Sequence, residues 1–193
     1  MEQAMEILKD KYEFTIRWEP FFLRSDTPPE GRPKPAAYMD PSNPRLQGLI
    51  KAGAAVGLIF ANKSPIFPST LKPHALMEFA KEKNDGVYQN DVAEKLFKKY
   101  FTDGDILGEE TLLGVAEEVG FERSEVNTYL NDKDALEKVF TSALKWSAQG
   151  ISGVPTFYFN GKQVFSGAQE TDTFVKMFDT VNERFPLQTN SKK

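Results

Sequence analysis

Residues 150–169 read GISGVPTFYFNGKQVFSGAQ, and this stretch decides the fold. Asn160-Gly161 stands between two β-rich runs, residues 156–159 and 163–166. An Asn-Gly pair in that setting is the strongest short hairpin signal, because both residues accept the positive φ of a type I′ turn. Pro155 opens the first run and cannot donate to a sheet ladder. It belongs at a strand start, at an edge or in a cis bond, and on the residues alone a plain strand-start proline is the simplest reading. A helix follows the hairpin, with Phe174, Phe178, Val181 and Phe185 spaced i, i+4, i+7 and i+11.

Upstream, the period is helical from Arg45 to Gln149. The spacing predicts a helix over 45–56 and a second capped by Thr70, with Pro73 tolerated in its first turn and Asn84-Asp85-Gly86 at its end. A third carries Val92, Leu96, Phe97 and Tyr100 on one face. A fourth carries Leu112, Leu113, Ala116 and Val119 and ends at Gly120. Ser124 is expected to cap a short fifth. A sixth, over 133–149, presents Leu136, Phe140, Ala143 and Leu144. Before this block, residues 25–44 hold six prolines and read as a loop connecting layers, with a docking PxxP segment as the rival reading. Residues 14–22 (FTIRWEPFF) alternate Phe14, Ile16 and Trp18 with Thr15, Arg17 and Glu19, a strand signature ended by Pro20. Residues 1–11 form a helix that begins without an N-cap, and residues 187–193 are a polar tail. There is no internal repeat.

Composition narrows the chemistry. The chain has 193 residues, 24 Lys+Arg, 28 Asp+Glu, one His and no Cys, for a net charge of −4. Hydrophobic content of 40% and charged content of 27% belong to a folded globular protein. The acidic balance argues against nucleic acid or an anionic membrane as partner. Without Cys there is no disulfide, thiolate nucleophile, CxxC pair or Cys-ligated metal in these residues. The longest apolar run, AGAAVGLIFA at 52–61, falls far short of the roughly 20 residues a membrane span needs. The amphipathic, acidic start resembles no signal peptide, so the expected location is cytoplasmic.

Few other residues suggest a site. His74 lacks a recognisable partner motif and reads as a capping or packing residue, although it could line a site. Asp103, Asp105, Glu109 and Glu110 lie close in sequence without the spacing of a calcium loop. Gly53 to Gly57 is a small-xxx-small pattern that suits tight packing, and Gly161-Lys162 belongs to a hairpin, not a phosphate loop. No metal site and no cofactor is expected.

GVPTF, the Asn-Gly turn, the SGAQ ending and the closing helix resemble the C-terminal half of a thioredoxin fold, and more closely the FrnE-like branch of the DsbA-type oxidoreductases. Arg17-Trp18-Glu19-Pro20-Phe21 is similar to the family's second strand. Pro68-Ser69-Thr70 with His74 resembles its P-N-T-x-x-A-H segment, departing at Ser69 and Pro73. Glu94-Lys95-Leu96-Phe97 through Phe101-Thr102-Asp103-Gly104 resembles the A-E-x-L-F…Y-F motif of its insertion. The resemblance implies an α/β thioredoxin-like fold with a helical insertion. Residues 1–40 would be its first part, 41–148 the insertion, 149–186 the second part and 187–193 a tail.

By that resemblance, Gly153, Val154, Pro155 and Thr156 form the cis-proline loop that pairs with an extended peptide or a small thiol substrate. The family's C-P-x-C dithiol is absent, and residues 1–8 align with the middle of the helix that follows it. The expectation is therefore a shortened, redox-inactive form without its first central strand, whose bare strand edges invite self-association. Two other readings stand beside it: a non-catalytic peptide-binding or chaperone-like module, and a glutathione-dependent transferase or isomerase that uses a Ser in place of the first Cys.

Overall fold

The computed structural model describes residues 1–187 of the chain. They cluster into two compact units, one of 1–16 with the C-terminal residues from 146 onward, the other Arg17–Lys145.

In the first unit, α1 (Glu2–Ile7) packs with the C-terminal helix α9 (Thr171–Arg184). Tyr12 and Lys11 both donate to Asp179 of α9, at 2.8 and 2.7 Å. Between them in sequence lies an antiparallel hairpin, β3 (Thr156–Phe159) and β4 (Lys162–Ser166). Its turn is Asn160-Gly161, with φ of 47° and 75°, so both residues take the left-handed conformation that the type I′ turn requires. The register slips between Phe157 and Tyr158, leaving an extra residue in β4. Phe157, Phe159 and Phe165 meet Phe174 and Phe178 of α9, with Phe159 stacked on Phe178 at 4.5 Å between centroids and Phe174 only 2% exposed. Phe14 adds a ring against Phe178 at 4.8 Å. Phe174, Phe178 and Val181 of the predicted spacing thus form the seam of this unit, whereas Phe185 lies just past the end of α9 and is 45% exposed.

The second unit is helical. It contains α2 (Ala36–Met39), α3 (Pro44–Ala55), α4 (Leu71–Glu82), α5 (Gln89–Phe97), α6 (Glu109–Val119), α7 (Arg123–Leu130) and most of α8 (Lys133–Ala148). The core is built by α4 to α8: Leu76, Val92, Leu112, Val115, Val126 and Leu130 are completely buried, and Val139 nearly so. A π-helical segment, Lys98–Asp103, prolongs α5. No helix among the described residues is long and apolar enough to cross a membrane.

Several local expectations change. Residues 14–22 form no strand: the segment has no regular secondary structure and belongs to neither sheet among the described residues. The proline-rich stretch is more ordered than expected, because α2 lies within it and β1 (Arg32–Pro33) pairs with β2 (Ile66–Phe67). Gly31 permits that pairing, since a Cβ there would stand 2.7 Å from the Phe67 carbonyl oxygen and φ is +82°. The fifth predicted helix, α7, starts one residue before Ser124, with Glu122 at its N-cap. Thr70 occupies the N-cap of α4 without a side-chain capping bond. On α8, Ala143 is buried, but Phe140 and Leu144 are 37% and 44% exposed, so that face is wider than the surface it covers. Of the tail, residues 188–193 lie outside the described residues.

Candidate functional site

The loop 150–155 leaves α8 at Gly150 and enters β3 at Thr156. Its base is fixed from both sides. The Thr156 hydroxyl donates to the Gly153 carbonyl at 2.8 Å and shares a 2.9 Å hydrogen bond with the Ser166 hydroxyl. The Gly167 amide donates to the Pro155 carbonyl at 2.8 Å. GVPT and SGAQ, separate in sequence, are therefore the two sides of one clasp. Thr156 and Ser166 are register partners across the hairpin, which brings the clasp together.

Above this base the loop is open. The Val154–Pro155 peptide bond is cis, and Val154 is 52% exposed. Neither the amide nor the carbonyl of Val154 has a backbone partner among the described residues. Exposed backbone groups on a fixed support are what strand addition by an extended peptide needs. Behind the loop, Phe157 packs on Phe165 and Phe174 at 5.1 and 5.0 Å, so the support is a buried aromatic cluster.

His74 belongs to the helical unit. Its Nε2 lies 3.1 Å from the Phe21 carbonyl. A carbonyl only accepts, so Nε2 is the donor in this hydrogen bond. The ring packs edge-on against Phe22 at 5.3 Å. Burial lowers its pKa below the ordinary 6.5, opposed by the bond to Phe21. In this position His74 fastens residues 17–22 to α4.

No cysteine is present, and the described residues contain no cluster of His, Cys, Asp and Glu able to hold a metal. The roles of Ser166 and Gly167 were missed in sequence. Counting outward from the Asn-Gly turn pairs Thr156 with Phe165; the bulge moves the partner to Ser166, and no residue preference announces the bulge.

Hairpin, proline loop and closing helix, with a helical block inserted ahead of them, define a thioredoxin-like α/β protein. The chain matches the DSBA-like thioredoxin domain over residues 1–179, and it belongs to that family. Among solved structures it is similar to a probable DsbA oxidoreductase from Streptomyces coelicolor, with a TM-score of 0.74 and 24% identity over 97% of this chain and 84% of that one. No curated protein matches it.

Proposed function

We propose that this chain provides the substrate-pairing part of a thiol–disulfide oxidoreductase of the FrnE-like branch, and that the 193 residues alone bind substrate without exchanging disulfides. The observation that carries the reading is the exposed Val154, with free backbone groups above a clasp of Thr156, Ser166 and Gly167. The substrate class is an extended peptide, with a small thiol as the lesser case. Exchange begins when a thiolate attacks a disulfide sulfur. The sulfur here is all methionine thioether, which supplies no thiolate.

Two measurements test this. In an insulin-reduction assay the chain should give no turnover above background; turnover in a preparation free of other thioredoxins would refute the inactive reading. In an NMR titration with an extended, cysteine-free peptide, the amides of Val154 and Thr156 should shift saturably. Shifts elsewhere only, or none, would remove the pairing role. Val154→Pro, which deletes the amide donor, should weaken binding.

A further inference from the structure

Five residues far apart in sequence converge in the helical unit. The Arg24 guanidinium lies 4.2 Å from the centre of the Phe67 ring. The Lys34 ammonium lies 5.6 Å from that ring and 5.4 Å from the centre of the Tyr100 ring. Lys34 Nζ donates to Asn62 Oδ1 at 3.3 Å, and Asn62 Nδ2 donates to the Tyr38 carbonyl at 2.6 Å, so Asn62 aims the lysine. The β1–β2 pairing sets the geometry: the Lys34 amide donates to the Pro65 carbonyl at 2.8 Å, and Phe67 lies in β2. Tyr100 stands on the π-helical segment, a backbone irregularity frequent at functional sites.

Neither cation has a carboxylate partner among the described residues. Asp26, close in sequence to Arg24, is held by Arg32 at 2.8 Å, and Asp103, close to Tyr100, by Lys98 at 2.9 Å. Burial lowers the Lys34 pKa from 10.5 and no anion opposes it. The Tyr100 phenol is pushed up by burial and drawn back by Arg24, which places the guanidinium within electrostatic reach of that hydroxyl. Lys34 is partly buried against two rings and Asn62, and Arg24 is exposed over Phe67, so each keeps charge and N–H donors that no carboxylate uses.

We infer that Arg24, Lys34 and the Tyr100 hydroxyl form an anion-binding site for a carboxylate or phosphate group, with Phe67 as its wall and Asn62 as its positioning residue. Arg24 offers a planar fork suited to an oxyanion, and Lys34 a compact charge. The site lies wholly within the unit of residues 17–145.

The test is an NMR titration of the 193-residue chain with inorganic phosphate and, separately, benzoate, at constant ionic strength against sodium chloride. The Lys34 Cε and Tyr100 ring signals should shift saturably with at least one anion, and the Lys34 pKa should rise on binding. Saturation with phosphate only, or with benzoate only, identifies the source of the oxyanion. Lys34→Gln and Arg24→Gln should each weaken binding at least about tenfold, as expected for losing a charge-assisted hydrogen bond. Their thermal melts should show that they remain folded. Shifts that are linear, that chloride reproduces, or that both variants retain at full affinity would overturn the site.

Discussion

Gln89 holds Trp18 by both of its backbone hydrogen-bonding groups. Its Oε1 accepts from the Trp18 amide and its Nε2 donates to the Trp18 carbonyl, each at 2.9 Å. Nε2 also donates to the Met77 carbonyl at 3.1 Å, and Gln89 is 1% exposed. A side-chain amide thus does for one residue what a neighbouring strand does along a ladder. The Trp18 indole then donates to Asn90 at 3.0 Å, and its ring meets Phe97 at 5.6 Å. Residues 17–22 are therefore fastened by Gln89 and Asn90 at Trp18, by Lys81 at Glu19 and by His74 at Phe21.

Replacing Gln89 should show how much that clamp contributes. Gln89→Leu leaves the Trp18 amide and carbonyl without partners, and each buried group so orphaned costs about 1–3 kcal/mol. A loss of roughly 2–4 kcal/mol in urea unfolding is expected, with Asn90→Ala costing less, about 0.5–1.5 kcal/mol. A Gln89→Leu loss below that of Asn90→Ala would show that water or another group serves Trp18.

His74 should make stability depend on pH in a definite direction. The folded state favours the neutral ring, whereas the unfolded chain takes up a proton near the ordinary 6.5. Below that value the unfolded state binds more protons, so stability is full above pH 6.5 and falls as pH drops through it toward the lower folded value. Glu78 acts oppositely, because burial raises its pKa from 4.5 and its contribution is lost as pH rises. The difference between the native chain and His74→Gln isolates the histidine: the variant should lose less stability between pH 7.5 and 5.5. Equal losses would mean that His74 protonates as readily in the folded protein.

The aromatic seam behind the proline loop is the next test. Phe174 touches Phe157, Phe159 and Phe165 and is almost wholly buried. Phe174→Ala should cost about 3–5 kcal/mol, the usual range for emptying a buried phenylalanine site. It should also broaden the Val154 and Thr156 amide signals, since the clasp rests on that cluster. A variant with unchanged melting and an unchanged loop would deny that the seam supports the site.

The open edge of β3 should promote association. Its only strand partner among the described residues is β4, and Thr156–Phe159 reads Thr-Phe-Tyr-Phe without a charge to repel another strand. Light scattering should show mass rising with concentration, Val154→Lys should reduce the effect, and the peptide that occupies the loop should compete with it. A monomer at every concentration would show that the edge is protected.

Local signals carried much of the fold. Asn160-Gly161, the helical phenylalanine spacing of α9 and the glycines that close helices each act over one or two turns, so single residues reveal them. The cis bond at Val154–Pro155 was expected only through the family resemblance, since the residues alone read Pro155 as a plain strand-start proline. Residues 14–22 show the limit of such reading. Alternation reports that one face of an extended segment is buried, not that a strand lies beside it. Only the packed structure put a glutamine from α5 and a histidine from α4 in that place. The same holds for the Thr156–Ser166 clasp, which depends on a bulge, and for Arg24, Lys34, Asn62, Phe67 and Tyr100, which no spacing connects. Secondary structure follows from residue types over short distances. The partners of a buried amide and the gathering of distant cations are set by how elements pack, which the chain determines collectively.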